Sequence, residues 1–194
     1  MIQLALAVFF LIVTPGPGVL SLAGVSAAFG FRRAMPCLTG LLIGNTLVML
    51  IIASGLAALV LANPVIRTGL FLISLAYLLY LAARIAFAGS RIAIVRAETC
   101  PGLMAGFLLQ PINPKAYAVN TTFFSGFPLY PEFYTFEIAV KILIVTAIWL
   151  PIHLAWAWAG ASLRKLDPPP HLQRAINICM AMSMLLVVGI AALA

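Results

Sequence analysis

At residues 14–18 the chain reads Thr14-Pro15-Gly16-Pro17-Gly18, in the middle of a stretch from residue 1 to residue 31 that carries no charged side chain. A second break of the same kind, Gln110-Pro111-Ile112-Asn113-Pro114-Lys115, interrupts the apolar segment between residues 98 and 132. Proline in a helix interior removes a backbone donor and clashes with the preceding turn, at a cost of about 3 kcal/mol. Each proline pair therefore predicts that an apolar helix is broken at its middle.

The composition places both breaks in a membrane protein. Of the 194 residues, 64% are hydrophobic and 8% are charged, whereas a soluble domain has about 25% charged residues. This composition excludes a soluble globular domain and a disordered chain. The net charge of +7 is scattered between apolar stretches, so it forms no basic face for a nucleic acid. The chain is predicted to be a multi-pass membrane protein that has the lipid bilayer as its partner.

Charged residues set the limits of the membrane spans. A helix needs roughly 20 mainly apolar residues to cross the hydrocarbon core. The fold class that follows is an all-α membrane protein with six transmembrane helices. The predicted helices cover about 3–27, 38–62, 65–87, 102–125, 137–161 and 173–193. They form one integral membrane domain, residues 1–194, with three-helix halves at 3–88 and 102–194 and a cytoplasmic linker at 89–101.

The basic residues predict the orientation of the spans. Loops one, three and five, with their flanks, carry eight of them: Arg32, Arg33, Arg84, Arg91, Arg96, Arg164, Lys165 and Arg174. Loops two and four carry only Arg67 and Lys141. The positive-inside rule then puts the first set in the cytoplasm and both termini outside. We expect no cleaved signal peptide, because the N-terminus lacks a basic region and Thr14-Pro15-Gly16-Pro17 stands where a cleavage site would be.

The two breaks are 99 residues apart, counted from Pro15 to Pro114. Adding 99 to the second predicted helix, 38–62, gives the fifth, 137–161. With three helices in each half, this register predicts an inverted-topology repeat, in which discontinuous helices meet near the midplane and form the substrate site. The alternative is that both prolines only kink their helices for packing.

Lys115 is expected near the centre of its span, together with the polar side chains of Gln110, Asn113, Tyr117 and Asn120. A lysine at that depth costs about 2.5–3.5 kcal/mol on insertion scales. Its amine suits the binding of a carboxylate or the closing of a gate. The alternative is an amine that reaches the interface or satisfies carbonyls freed by proline.

Four further positions carry polar or packing signals. Gly40 and Gly44 let a neighbouring helix approach closely, which favours a packing role. Asn45 needs a partner, because a lone amide in an apolar environment is costly. His153 either titrates in the transport cycle or is a satisfied core residue.

The sequence does not indicate a metal site, a disulfide or an enzyme. The cysteines Cys37, Cys100 and Cys179 have no close spacing, which predicts neither a metal site nor a disulfide. The residue types offer no nucleophile–base set, zinc spacing or phosphate loop, so we expect no catalytic residues, no cofactor and no enzyme.

At these residues the sequence resembles the LysE/RhtB family of bacterial amino-acid exporters. The similarity spans roughly residues 8–127 and rests on five motifs. They are Thr14-Pro15-Gly16-Pro17, Gly40-Leu41-Leu42-Ile43-Gly44-Asn45, Gly55-Leu56-Ala57-Ala58-Leu59, Ala76-Tyr77-Leu78-Leu79-Tyr80-Leu81, and Gly106-Phe107 with Asn113-Pro114-Lys115. The resemblance implies a proton-driven secondary exporter of amino acids in the bacterial inner membrane, most often a homodimer.

One departure from the family affects the expected mechanism. Some relatives carry an aspartate about where Asn45 stands, and no predicted span here contains an acidic residue within its interior. We therefore expect Lys115 itself to sense protons. In this hypothesis Lys115 and helix N-termini bind the substrate carboxylate, while Asn45, Asn113 and unwound carbonyls bind the ammonium.

Two other classes of function remain open. The chain could carry another small solute, by active or passive transport, or it could be a non-transporting scaffold or regulatory subunit. A scaffold has no need of two helix breaks and a lysine at mid-span. Export of small zwitterionic solutes is thus the favoured interpretation, with substrate and translocation residues at Thr14, Pro15, Gly16, Pro17, Asn45, Asn113, Pro114 and Lys115. The secondary candidates are Gln110, Tyr117, Asn120 and His153.

Overall fold

The computed structural model describes residues 1–14, 16–56 and 100–165, with scattered positions between 62 and 83 and between 169 and 182. The three continuous ranges form helices and no strand. The helices are α1 Ile2–Val13, α2 Pro17–Phe29, α3 Phe31–Ala53, α4 Leu103–Leu109, α5 Pro114–Gly126 and α6 Tyr134–Lys165. Most of the predicted helices 65–87 and 173–193 and of the linker 89–101 lies outside the described residues, as does Pro15.

The first predicted helix is broken where the prolines indicated. α1 ends at Val13, and α2 begins at Pro17 after the extended residue Gly16. The axes of α1 and α2 differ by 52°. Proline suits the first position of a helix because the amide it lacks would have no partner there. α1 turns Leu4, Val8 and Ile12 toward the core, a spacing of four residues that keeps them on one helical face.

α3 begins seven residues earlier than predicted. Gly30 adopts a φ of 90°, a conformation that glycine takes without penalty, so one residue suffices to connect α2 to α3. Arg32 and Arg33 consequently lie in the first turn of α3 rather than in a loop. α3 also ends at Ala53 rather than at 62, because Gly55 takes a φ of 77° in the turn that follows.

The fourth predicted helix is likewise divided, into α4 and α5, with Gln110, Pro111, Ile112 and Asn113 between them. α6 is longer than the predicted span 137–161. Its 32 residues correspond to about 48 Å at 1.5 Å per residue. Pro151 lies inside α6 without ending it.

Glycines bring backbones into direct contact at two interfaces. A Cβ added at Gly40 of α3 would collide with the Leu103 carbonyl of α4, and one added at Gly106 of α4 would collide with the Cys37 carbonyl of α3. A Cβ at Gly160 of α6 would meet the carbonyl of Ala23 in α2 in the same way. The close approach predicted for Gly40 is confirmed and joins α3 to α4, while the contact at Gly160 joins α2 to α6.

Two of the described helices, α3 and α6, are long and apolar enough to cross a membrane. The bent pair α1–α2 gives a third such segment when it is counted as one. The all-helical membrane architecture is therefore confirmed for the described ranges. The six-span arrangement and the inverted repeat stay predictions.

Candidate functional site

A cavity lies where α1, α2, α3, α5 and α6 meet the break between α4 and α5. Its polar lining consists of Thr14, Asn45, Gln110, Asn113, Lys115, Asn120 and His153. Gly16, Gly18 and Ala116 line it with small residues, and Leu11, Ile12, Val19, Val119 and Trp149 provide large apolar surface. Among these described lining residues Lys115 is the only lysine or arginine, and none is acidic. The cavity thus combines one amine with several amides and an apolar wall.

The amine of Lys115 connects the two helix breaks. Its Nζ donates a hydrogen bond to the carbonyl oxygen of Thr14 over 2.6 Å. Thr14 is the C-terminal cap of α1, and carbonyls at a helix end have no partner within the helix. They also carry the negative end of the helix dipole, which favours a cation. The Thr14 hydroxyl donates a hydrogen bond to the Phe10 carbonyl. Thr14 therefore contacts Lys115 through its backbone oxygen and not through its side chain.

Gly16 provides the space in which the Lys115 side chain lies. A Cβ added at Gly16 would be 2.7 Å from Cδ of Lys115 and 3.2 Å from its Nζ. Gly16 has an extended backbone, with φ −144° and ψ 179°, so any residue could adopt its conformation. A glycine is required at position 16 because the Lys115 side chain occupies the space that a Cβ would take, and not because the backbone turns there.

Asn113 fixes the start of α5. As N-cap, its side-chain oxygen accepts a hydrogen bond from the backbone amide of Lys115 over 3.1 Å. Such a cap satisfies an amide that has no partner in the first turn. Asn113 therefore fixes the backbone of Lys115, whose side chain reaches Thr14 at the break between α1 and α2.

Asn45 of α3 and Asn120 of α5 form a buried amide pair. Nδ2 of Asn120 donates to Oδ1 of Asn45 over 3.0 Å and also to the Ala116 carbonyl over 2.9 Å. Asn45 thus has the partner that its burial requires. The pair connects a helix of the first half to a helix of the second at the wall of the cavity.

His153 is held within α6. Its Nδ1 lies 2.9 Å from the Trp149 carbonyl, which can only accept, so Nδ1 is the donor. The imidazole also stacks on the indole of Trp149, with ring centroids 3.5 Å apart and planes 18° from parallel. These contacts fit a well-packed core residue, and titration of His153 in the transport cycle stays a prediction.

The structure brings together eight of the twelve predicted site residues at the cavity: Thr14, Gly16, Asn45, Gln110, Asn113, Lys115, Asn120 and His153. Pro17 and Pro114 occupy the first positions of α2 and α5 and are not among the lining residues. Tyr117 is half-buried and does not line the cavity. Pro15 lies outside the described residues.

Sequence reasoning missed a second buried lysine. Lys141 was interpreted as a flank of an outer loop, but its side chain is 1% exposed and its Nζ lies 2.6 Å from Oε1 of Glu137. The same amine donates to the Phe124 carbonyl over 2.8 Å, and the Glu137 carboxylate accepts from the Tyr130 amide. The separation of four residues between an acid and a base on a helix was the available signal. This pair joins α6 to the end of α5 and to the loop that follows.

The chain matches the LysE type translocator family over residues 9–194. It is 29% identical to a cysteine/O-acetylserine efflux protein of Salmonella paratyphi A over 170 residues, which cover 87% of this chain and 85% of the relative. It is 26% identical to a leucine efflux protein of an Enterobacter species over 128 residues, covering 61% and 59% of the two chains. An uncharacterised membrane protein of Pseudomonas aeruginosa is 30% identical over 75% of this chain and 73% of its own length.

No solved structure matches the chain. The family match covers nearly the whole sequence. Family members are transporters rather than enzymes, and the apolar helices are those of a multi-pass membrane protein. The chain belongs to the LysE type translocator family.

Proposed function

We propose that this protein exports small amino acids with uncharged side chains, and that the cavity is their binding site during translocation. The observation that carries the proposal is the contact between Lys115 and the Thr14 carbonyl. It places one cation at the junction of two helix breaks, on the wall of a cavity that is otherwise neutral. Such a cation is suited to the carboxylate that every amino acid carries.

The same contact suggests how binding could be linked to movement. A substrate carboxylate is a stronger acceptor than the Thr14 carbonyl and would draw the Lys115 amine toward the substrate. Binding of the carboxylate would therefore weaken the hydrogen bond that joins α1 to α5. Discontinuous helices of this kind line substrate sites in transporters that alternate access between the two membrane faces.

The chemistry of the wall favours neutral substrates. Because no acidic residue is among the described lining residues, a lysine or arginine substrate would bring a second cation near Lys115 without a partner. The apolar surface from Leu11, Val119 and Trp149 instead suits a small uncharged side chain. Cysteine, O-acetylserine and leucine, the substrates in the names of the relatives, have such side chains.

The proposal includes a proton gradient as the driving force, with Lys115 as the group that exchanges protons. It also includes an inner-membrane location, outward-facing termini and a homodimer. The excess of basic residues on one set of loops supports the orientation. The family resemblance supports the location, the coupling and the dimer.

The test is an efflux assay with radiolabelled cysteine, leucine, lysine and glutamate. Cells that express the chain are loaded with each amino acid and compared with cells that carry an empty vector. We expect faster efflux of cysteine or leucine, no change for lysine, and a loss of the difference when a protonophore collapses the gradient. Equal efflux of all four amino acids from both cell types would refute the proposal.

A further inference from the structure

Asn120 carries a buried hydrogen-bond acceptor, Oδ1, that has no partner within the described residues. In the described ranges, three buried side-chain atoms have no hydrogen-bond partner: Ser21 Oγ, Ser26 Oγ and Asn120 Oδ1. Of these residues only Asn120 lines the cavity, and it is 2% exposed. Buried polar atoms are nearly always paired, so an unpaired acceptor at the wall of a cavity requires an explanation.

The orientation of the Asn120 amide follows from its neighbours. The Ala116 carbonyl can only accept a hydrogen bond, and it lies 2.9 Å from the amide nitrogen of Asn120. This contact fixes the nitrogen on that side, and the same nitrogen donates to Oδ1 of Asn45. Both donor hydrogens are thereby used, and Oδ1 of Asn120 is left as an acceptor for a donor from outside the protein.

Each of the other oxygens expected to bind an ammonium group already accepts one hydrogen bond within the protein, which leaves it at most one further acceptor position. Oδ1 of Asn45 accepts from Asn120, Oδ1 of Asn113 accepts from the Lys115 amide, and the Thr14 carbonyl accepts from the Lys115 amine. Asn45 and Asn113 therefore act as supports, the first for Asn120 and the second for Lys115. The sequence had suggested them as direct ligands of the substrate.

We infer that Oδ1 of Asn120, held in place by Asn45, accepts a hydrogen bond from the protonated α-amine of the exported amino acid. The inference rests on the proposed function. It assigns the two charged groups of the substrate to two residues of α5, with the carboxylate at Lys115 and the ammonium at Asn120. An ammonium group has three donors and no acceptor, which matches a site whose open atom is an oxygen.

The experiment uses purified protein in liposomes loaded with leucine, and it measures uptake of radiolabelled leucine by exchange. Unlabelled leucine and 4-methylpentanoate compete for this uptake. The two competitors share the carboxylate and the side chain and differ in the α-amine. Asn120→Leu removes the acceptor at nearly constant volume. Thr122→Val is the matched control on α5, because the Thr122 hydroxyl is exposed and bonds to the Ala118 carbonyl of its own helix.

We expect wild-type protein and Thr122→Val to be inhibited much more strongly by leucine than by 4-methylpentanoate. In Asn120→Leu the KM for leucine should rise by about tenfold or more, the usual effect of losing a hydrogen bond to a charged group. Its preference for leucine over 4-methylpentanoate should disappear. If Asn120→Leu does not insert, Asn120→Ala removes the same acceptor with a smaller side chain, and it should lose the preference in the same way.

Three results would overturn the inference. The first is wild-type KM and preference in Asn120→Leu, which would leave amino-acid export intact and assign the unpaired oxygen to bound water. The second is a wild-type preference for leucine over 4-methylpentanoate in Asn120→Ala. The third is exchange of no amino acid by the wild-type protein, which would refute the proposed function together with the inference.

Discussion

Lys115 and Thr14 are 101 positions apart in the sequence, and the hydrogen bond between them joins the end of α1 to the start of α5. Each residue lies at a helix break, and each supplies what the other lacks. Thr14 presents a carbonyl without a partner in its helix, and Lys115 presents an amine that needs an acceptor inside the protein.

Replacing Lys115 tests its role in binding substrate. Lys115→Met removes the charge at similar length, so we expect normal insertion and at least a tenfold loss of cysteine or leucine efflux. Lys115→Arg should also be impaired, because a planar guanidinium is wider than an ammonium and Gly16 leaves little room. Lys165→Met, at the last residue of α6, is the control. Wild-type efflux by Lys115→Met at matched protein levels would remove Lys115 from the site.

Gly16→Ala tests the position of the same amine without touching its charge. The added methyl would lie 2.7 Å from Cδ of Lys115, so the side chain must move away from Thr14. We expect reduced efflux with normal membrane abundance, measured by quantitative immunoblot beside the transport assay. Gly126→Ala is the matched control, because a Cβ there meets no atom within 4 Å. Equal efflux from both glycine variants would show that Lys115 does not depend on this space.

The prolines at the breaks should be needed for transport. Proline disfavours a helical conformation in the residue before it, and Asn113, before Pro114, is extended, with ψ 109°. Pro114→Ala lifts this restriction, and Pro15→Ala does the same at the first break, so efflux should fall while insertion persists. Pro36→Ala, at an exposed proline inside α3, should leave efflux unchanged. Full efflux from the Pro15→Ala and Pro114→Ala double variant would mean that the prolines serve packing alone.

Lys141 should matter for stability. Lys141→Met leaves the Glu137 carboxylate buried without its cation, which costs about 3–5 kcal/mol when such a pair is broken. We expect a lower unfolding temperature in detergent, followed by tryptophan fluorescence. The double variant Glu137→Gln and Lys141→Met should recover part of the loss, because neither uncompensated charge remains. An unchanged unfolding temperature in Lys141→Met would contradict the buried pair.

Cys100 reports the orientation of the protein in the membrane. Cys37 is buried, so it should resist thiol reagents from both sides and carries no topological information. Cys100 is partly exposed and lies next to α4, at the end predicted to face the cytoplasm. In a variant that retains only Cys100, an impermeant maleimide should label inverted vesicles and leave intact cells unlabelled. Labelling from outside intact cells would reverse the predicted orientation.

The sequence was sufficient to locate both breaks and most of the cavity lining. Pro17, Pro114 and their neighbours act through backbone geometry, which depends on residue type and local order alone. Lys115 and Asn45 were recognisable because a polar group in an apolar segment needs a partner. Their actual partners, Thr14 and Asn120, lie more than 70 positions away, and no local pattern identifies such contacts.

Two physical effects explain where the observed limits of the helices differ from the predicted ones. Gly30 and Gly55 end or start helices by adopting positive φ values, and a glycine in a sequence does not reveal its φ. α6 extends four residues beyond residue 161 and begins three before residue 137, because a charged residue limits the part of a helix that lies in the hydrocarbon core and not the helix itself.

The glycine contacts between α3 and α4 constrain how the protein can move. At Gly40 and Gly106 the two backbones touch with no side chain between them, so nothing at this interface can change rotamer to absorb a sliding motion. α3 and α4 are therefore coupled as one rigid body, and Gly160 couples α6 to α2 in the same manner. The cavity lies between these two bodies. The hydrogen bond from Lys115 to Thr14 joins α1 to α5. These two helices are the elements left to act as hinges of the cavity.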